Sequence, residues 1–400
     1  MRTSTPLQFN RALNGVLSLQ GQVQKYQLQV SSGKRLASAA DDPVAAAQIL
    51  NISERLSAVE QFNRNANLVD LRLADQESAL TSATTLVQRT RELILQGKSR
   101  SLSTDDRRFL AAEMRQRLEE LVSLGNTRNA SGEHIFAGTA VDTVPFTVNA
   151  AGDVVFNGNE NVRQLSISEN RRLSEGFSGV DVFMGVRNGN GIFVMDVAPA
   201  NTGTGRLIND ALNNAAGYVP DDFRIVFTAV NTFDVINDTS GATVLSAQAY
   251  SPGAAISFNG LSVAVTGTPA IGDAFTVNPS ENQSVFTTLK NVIAAMELDA
   301  TSPALSARQT FALDRGLADI DQALSKLIST RATVGARANT LESQLKTNED
   351  LTLQLKTVRS ALEDADPVEA ISELARHSQI LEAAQQAFVR VQGLSLFNYL

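Results

Sequence analysis

The sequence predicts a mainly α protein with an inserted β-rich domain, its helices forming an antiparallel long-helix coiled-coil rod built from both chain ends. Three observations carry that expectation. Residues 1–140 and 286–400 are poor in proline and patterned for helix. Residues 141–285 hold 15 of the 25 Gly, 6 of the 10 Pro and 10 of the 18 Phe, a turn-rich composition unlike that of either arm. The net charge of −8 lies wholly in this middle, which has 6 Arg, no Lys and 14 acids, while the arms balance 28 basic against 28 acidic residues.

The first helix is expected over about residues 5–30. Phe9, Ala12, Val16, Leu19, Val23, Tyr26 and Val30 step by three and four, the spacing of a coiled-coil seam. Between Met1 and Val30 there is no acid, and the only basic residues are Arg2, Arg11 and Lys25. Such a helix needs other copies or partners to cover its remaining faces, and is expected to stay disordered until assembly supplies them. Ser31-Ser32-Gly33-Lys34-Arg35 interrupts it with small residues and a glycine suited to a helix end. A second helix starts at Asp41-Asp42-Pro43, where Asp42 can cap free amides and Pro43 takes the first helical position without losing a needed N–H. No Gly or Pro follows before Gln96, and Ile52, Leu56, Val59, Ala66, Val69, Leu73, Leu80, Ala83, Val87 and Ile94 form its seam. At 1.5 Å per residue this helix is roughly 80 Å long, too long to stand without a partner along it.

Ser103-Thr104-Asp105-Asp106 opens a third helix, carrying Leu110, Met114, Arg117, Leu121 and Leu124. The expected partner seam comes from the other arm: Leu313, Leu317, Ile320, Leu324, Leu327, Val334, Ala338, Leu341 and Leu345, broken only by Arg331. After Asn348 the frame jumps to Leu351, Leu355, Val358 and Leu362, a stammer-like shift. Asp364-Ala365-Asp366-Pro367 mirrors the earlier punctuation, with Asp366 as cap, Pro367 at the first turn and Glu369 at the capping-box position. The last helix then runs to about Gly393. Both chain ends are therefore expected at the same tip. The predicted domains are 1–40 with 367–400 as a terminal helical domain, disordered until assembly; 41–140 with 286–366 as the rod; and 141–285 as an inserted outer domain. In that insert Phe146-Thr147-Val148, Asp153-Val154-Val155-Phe156 and Phe223-Arg224-Ile225-Val226-Phe227 read as strands, separated by turn signals at Ala151-Gly152-Asp153, Asn157-Gly158 and Asn259-Gly260.

Catalytic readings find little support. Neutral arms and an acidic middle argue against nucleic-acid binding, which needs a basic stripe. The chain has no Cys, which excludes disulfides, thiolate metal sites and Cys nucleophiles. Gln96-Gly97-Lys98-Ser99 resembles the end of a phosphate-binding loop, but Glu92 stands where its first Gly belongs and a helix precedes it. His134 and His377 lie in no two-His zinc motif and read as surface or interface histidines. No Ser occupies a nucleophile elbow. No apolar run suits a membrane span, and Thr3–Gln22 lacks the apolar core of a cleaved leader. Neither an enzymatic activity nor a cofactor, metal, nucleic-acid or membrane partner is expected.

Several of these residues together resemble the flagellin family. Ser31-Ser32-Gly33-Lys34-Arg35 with Ala39-Ala40-Asp41-Asp42-Pro43 resembles its signature; Gln88-Arg89-Thr90-Arg91-Glu92-Leu93 resembles its first-arm helix. Asn126-Thr127-Arg128 with Gly132 and Ile135-Phe136-Ala137-Gly138 resembles the end of that arm, and Glu363-Asp364-Ala365-Asp366 the entry to its last helix. The opening Met1-Arg2-Thr3-Ser4 and the ending Leu394-Ser395-Leu396-Phe397-Asn398-Tyr399-Leu400 are similar to those of the family's hook–filament junction members, although Thr3 stands where an aliphatic residue is commoner. The resemblance covers both arms, about 250 residues, and not the middle.

The resemblance implies a structural role in the bacterial flagellum, between hook-associated protein 1 and the flagellin filament, with copies of the chain arranged in a ring. It further implies export through the flagellar type III apparatus without a cleaved signal, escorted by a dedicated chaperone. It points to Ser31, Ser32, Gly33, Asp41, Asp42, Pro43, Arg89, Glu92, Asp364 and Asp366 as signature residues. Leu381, Phe388, Val391, Leu394 and Phe397 form an apolar set expected to need an assembly partner, and Leu400 is a further expected assembly residue. The alternatives are a divergent flagellin, or a flagellar subunit whose middle domain is adhesive.

Overall fold

The computed structural model describes residues 5–99 and 101–396. Among the described residues the α-helices are α1 (Thr5–Ser32), α2 (Pro43–Gly97), α3 (Thr104–Gly125), α4 (Val285–Glu297), α5 (Pro303–Glu363) and α6 (Pro367–Leu396). All strands among the described residues fall between Phe146 and Gln283, so the fold is helical arms flanking a β-rich middle. The chain forms two compact units, Met1–Asn65 with Ser343–Leu400, and Ala66–Glu342, with α2 and α5 contributing to both.

In the central unit α2 and α5 run antiparallel, as the ion pairs Glu77–Arg331 at 2.7 Å, Arg91–Asp321 at 2.6 Å and Lys98–Asp314 at 2.5 Å record. The seam expected on α2 is buried from Ala66 through Ile94, and Leu313, Ile320, Leu327, Val334 and Leu341 are buried on α5. Arg331, which interrupts that seam, is answered by Glu77, so its charge is neutralised where an aliphatic residue would otherwise sit.

Helix α3 starts with a capping box: the Ser103 hydroxyl accepts from the Asp106 amide while the Asp106 carboxylate accepts from the Ser103 amide. Its partner differs from the expected one. α3 packs on α4, a short helix that the sequence pattern had merged into the second arm, and Arg115 pairs with Glu297 between them. Val285, Phe286, Leu289, Val292, Ile293 and Met296 bury more than one face of α4, which gives it a core of its own. The chain then turns before Pro303, in a segment without glycine to mark it.

The middle is wholly antiparallel. Strands β1 (Phe146–Val148) and β2 (Val154–Phe156) pair, as do β3 (Gln164–Ser168) and β4 (Arg171–Ser174). β5 (Val186–Arg187) pairs with β14 (Asn282–Gln283). A five-stranded sheet is formed by β6 (Phe193–Val197), β8 (Phe223–Ala229), β9 (Thr232–Asn237), β10 (Ala242–Ala249) and β13 (Ala274–Pro279), in the order β10-β9-β8-β13-β6. A three-stranded sheet has the order β11 (Ala255–Phe258), β12 (Leu261–Thr266), β7 (Arg206–Leu212). Alternating residues of the two sheets meet in one core, where Phe223, Phe227 and Phe275 join Ile256, Phe258 and Val263. Phe311 of α5 belongs to that same core, so the sheets fold onto the helix rather than apart from it. Between β11 and β12 the predicted turn is present, with Asn259 and Gly260 both at positive φ, 46° and 75°, as a two-residue hairpin demands.

In the terminal unit α1 packs on α6. The Phe9 and Phe388 rings stand 5.2 Å apart and those of Tyr26 and His377 5.1 Å, so the two helices run antiparallel. Asn348, where the heptad frame jumps, is buried on α5 and donates to the Asn63 side chain of α2 at 2.9 Å. A buried amide pair of this kind specifies register, because sliding either helix leaves polar groups against aliphatic ones.

Candidate assembly interface and its clasp

Two stretches of the sequence signature, 330 residues apart, close on each other in the terminal unit. α1 ends at Ser32, whose hydroxyl accepts from the Lys34 amide at 3.2 Å and donates to the Leu28 carbonyl at 2.7 Å; Ser31 donates to the same carbonyl. Gly33 follows at φ +71°, the left-handed turn that releases the chain from the helix. Lys34 then forms a β-bridge with Asp364. The Arg35 amide donates to the Glu363 carbonyl at 2.7 Å and the Ala365 amide donates to the Gly33 carbonyl at 2.9 Å. Around this two-rung ladder Lys34 pairs with Glu363, and the Arg35 guanidinium donates to the Leu362 carbonyl at 2.8 Å. Gln29, buried, donates to the Arg35 carbonyl.

Three acids of the signature, Asp41, Asp42 and Asp366, satisfy backbone donors. Asp41 accepts from the Ser38 amide at 3.0 Å and the Ala37 amide at 3.3 Å, with Lys25 3.4 Å away. Those hydrogen bonds, Ser38 first, and the Lys25 charge hold its carboxyl below the ordinary value. Asp42 accepts from the Ala45 amide at 3.0 Å and so caps α2 ahead of Pro43. Asp364 accepts from the Ser360 hydroxyl, and Asp366 accepts from the Val368 and Glu369 amides at 2.8 and 3.3 Å, capping α6. Gly33→Ala forces a Cβ into a left-handed turn at about 1 kcal/mol. The expected result is exchange of the Arg35 and Ala365 amides about fivefold faster, measured by hydrogen–deuterium exchange, with the central unit unaffected; unchanged exchange would mean that the turn does not hold the clasp.

Beyond the clasp, the helix pair leaves large apolar side chains in water. On α1 these are Leu7, Phe9, Leu13, Leu17 and Leu28; on α6 they include Ile371, Ile380 and Val389. Phe388 is half-buried beside Phe9, which is itself 40% exposed. Leu394 falls on α6, while Met1-Arg2-Thr3-Ser4, Phe397 and Leu400 lie outside the described residues. This surface can bury more apolar area than the chain alone supplies.

Arg89 and Glu92 belong to the other unit and not to the clasp. They pair at 3.0 Å on α2, and Arg89 reaches Glu113 of α3 at 3.1 Å, tying those helices together. His134 is a correction to the sequence reading. It is buried, not superficial: the Arg128 guanidinium donates to its Nε2 at 3.2 Å, so Nδ1 carries the proton and donates to the Asn126 carbonyl at 2.8 Å. His377 is half-buried against Tyr26.

Sequence reasoning passed over the residues that seat the β-rich middle on the helices. Arg72 of α2 bridges Glu175 at 2.5 Å and Glu133 at 2.7 Å. Gln76, buried one turn on, donates to the Ile135 and Phe177 carbonyls and accepts from the Phe177 amide. Arg337 of α5 stacks over Phe177 at 4.2 Å. Asp319, also on α5, is 3% exposed and accepts from the Gly189 amide at 2.6 Å and from Gln283 at 3.2 Å. Burial pushes its carboxyl above the ordinary 3.8. A raised acid favours the folded state in full below pH 3.8, and that advantage is lost as the pH rises through the raised value. Nothing local in the sequence marks these contacts; Asp75, three residues after Arg72, even offers it a nearer partner.

Among the described residues no group of three or more His, Asp or Glu could hold a metal ion, and no helix is long and apolar enough to cross a membrane. Comparison with known proteins gives a consistent set of likenesses. The N-terminal helical region of bacterial flagellin matches residues 4–141 and the C-terminal helical region matches 317–400. The flagellar hook-associated protein 3 of Escherichia coli is 25% identical over 398 residues, covering 100% of this chain and 99% of that protein. The flagellar junction protein FlgL from Legionella pneumophila superposes with a TM-score of 0.71 at 32% identity, covering 80% of this chain and 100% of that one. A flagellin from Listeria innocua is 26% identical over 229 residues and reaches only 55% of this chain.

Proposed function

Because the chain belongs to the flagellar hook-associated protein 3 (FlgL) family, we propose that its exposed α1–α6 face is the surface through which it is built into the flagellum. The protein is a structural subunit of the bacterial flagellum, forming the junction between hook-associated protein 1 and the flagellin filament, and is required for filament assembly and motility. The observation that carries the assembly reading is the row of exposed leucines and Phe9 on α1, next to Ile371, Ile380 and Val389 on α6. Each large side chain fully buried on assembly contributes roughly 1.5–3 kcal/mol, and a lattice repeats that gain in every subunit.

The neighbours inferred for this surface are hook-associated protein 1 below, flagellin above and copies of the chain beside it in a ring. The terminal segments 1–40 and 367–400 are taken to complete their folding there, since α1 has no acids before Val30 and its outward face lacks the charges that would suit it to water. Before assembly a dedicated chaperone covers this end, and the subunit leaves the cell by the flagellar type III route. A divergent flagellin is the less favoured reading, because flagellin resembles only part of the chain. An adhesive middle segment is less favoured still. Immunogold labelling of whole flagella tests the assignment: a single band of label between hook and filament is expected. Label spread along the filament would establish a filament subunit instead.

A further inference from the structure

We propose that the open cleft between the end of α2, the start of α5 and β7 binds a small oxyanion, a phosphate or carboxylate carried on a hydroxyl-bearing molecule. The cleft has a volume of about 440 Å³, and Lys98, Arg107 and Arg206 all line it. Asp314 is shared by two of them: it stands 2.5 Å from Lys98 and 4.0 Å from Arg206. Arg107 donates to the Gly97 and Ser99 carbonyls, at 3.2 and 3.3 Å, which orient its guanidinium but leave its charge in place. Its neighbour Asp106 accepts from the Ser103 amide and hydroxyl in the capping box of α3 and keeps its negative charge near Arg107, so three cations face two carboxylates here. Positive charge is therefore in excess at this cleft, in a chain whose net charge is −8.

A second feature reinforces it. Pro303, Ser306, Ala307 and Thr310 line the same cleft from the first turns of α5; its Leu305 amide is capped by the Ser302 hydroxyl, so the helix adds the positive end of its dipole in the first turn rather than free amides. Of the hydroxyl residues on the walls, Thr310 donates to the Ser306 carbonyl and can still accept, Thr204 accepts from the Thr268 amide and can still donate, and Ser306 stands with them, which suits a ligand that offers further hydroxyls. The run Gln96-Gly97-Lys98-Ser99 thus builds no nucleotide loop, since it follows a helix, yet its lysine ends at a site that favours anions. This site lies in the central unit and owes nothing to the assembly face on α1 and α6.

Calorimetric titration of the full-length monomer in phosphate-free, low-salt buffer at neutral pH tests this, with inorganic phosphate and galacturonate as separate probes. Saturable binding of at least one is expected. Phosphate alone assigns a phosphate ligand, and galacturonate alone assigns a carboxylated sugar. Arg206→Ala should weaken binding about tenfold, as expected for a charge-assisted hydrogen bond, while Arg206→Lys stays within about threefold. Asp314→Asn should tighten binding, because it removes the carboxylate that competes for Lys98 and Arg206. A merely damaged fold would not produce a gain. If Arg206→Ala does not fold, as judged by its thermal transition, Lys98→Met carries the same expectation. Absence of saturable binding below about 20 mM of either probe would overturn the proposal. So would an affinity unchanged by Arg206→Ala or weakened by Asp314→Asn.

Discussion

Phe388→Asp is expected to abolish filaments while leaving the subunit folded and secreted. Phe388 meets Phe9 at 5.2 Å between ring centroids, and both rings retain exposed edges that the isolated chain does not cover. In the free subunit an aspartate there can still reach water, so the loss is confined to the α1–α6 contact. On the assembly proposed above, the same position becomes dry. The variant then loses roughly 1.5–3 kcal/mol of apolar burial and also strands a carboxylate, at a further cost of several kcal/mol unless it protonates. Every subunit of the ring repeats that deficit. Flagellin should therefore leak into the medium with no filament to receive it, and cells should be non-motile. Limited proteolysis of the purified variant should trim both ends and leave 44–136 with 304–362 resistant, as in the parent chain. The amount of variant secreted has to be measured alongside, since a chaperone of the kind proposed for this end would bind the variant less tightly. Normal filament length and motility would remove α6 from the mechanism.

Arg72→Ala is expected to destabilise the central unit by about 3 kcal/mol, lowering its melting temperature by about 5 °C. The effect is large because Glu175 is only 6% exposed and loses its 2.5 Å partner. Arg163 remains at 3.4 Å but is itself 44% exposed, so it compensates in part. Replacing both partners, Arg72→Met with Glu175→Gln, should recover most of the loss, because no unpaired charge is then buried. Differential scanning calorimetry separates the cases. Equal melting of Arg72→Ala and the parent would show that Gln76 and Asp319 alone seat the β-rich segment.

The helices were legible because their punctuation is local. Asp42-Pro43 and Asp366-Pro367 place the caps within a residue of where they occur, and apolar steps of three and four mark the buried faces of α2 and α5. Even the frame jump after Asn348 corresponds to a physical object, the Asn63–Asn348 amide pair. What stayed hidden depends on distant partners. Arg331 read as a defect in its seam until Glu77, 254 positions away, was seen to neutralise it. The separate helix α4 and the order of the five-stranded sheet follow from pairings that no short window contains. His134 looked superficial because its two partners, Arg128 and Asn126, are made adjacent only by a tight local turn. Of the candidate site, the resemblance gave the residues, but not that Gly33–Arg35 and Glu363–Ala365 would meet.

That meeting has a consequence for timing. Lys34 and Glu363 are 329 positions apart, so a chain made from its N-terminus holds α1 and the opening of α2 long before their counterparts exist. Closing a loop of that length costs only about 0.6 kcal/mol more than closing one half as long. Order of emergence, rather than entropy, is what delays the clasp. Until Glu363 to Ala365 have appeared, the α1 end has nothing to latch onto. The arrival of α6 therefore acts as a completion signal: the tip takes shape only once that helix is present, and a product that stops short of it presents no finished end to its neighbours.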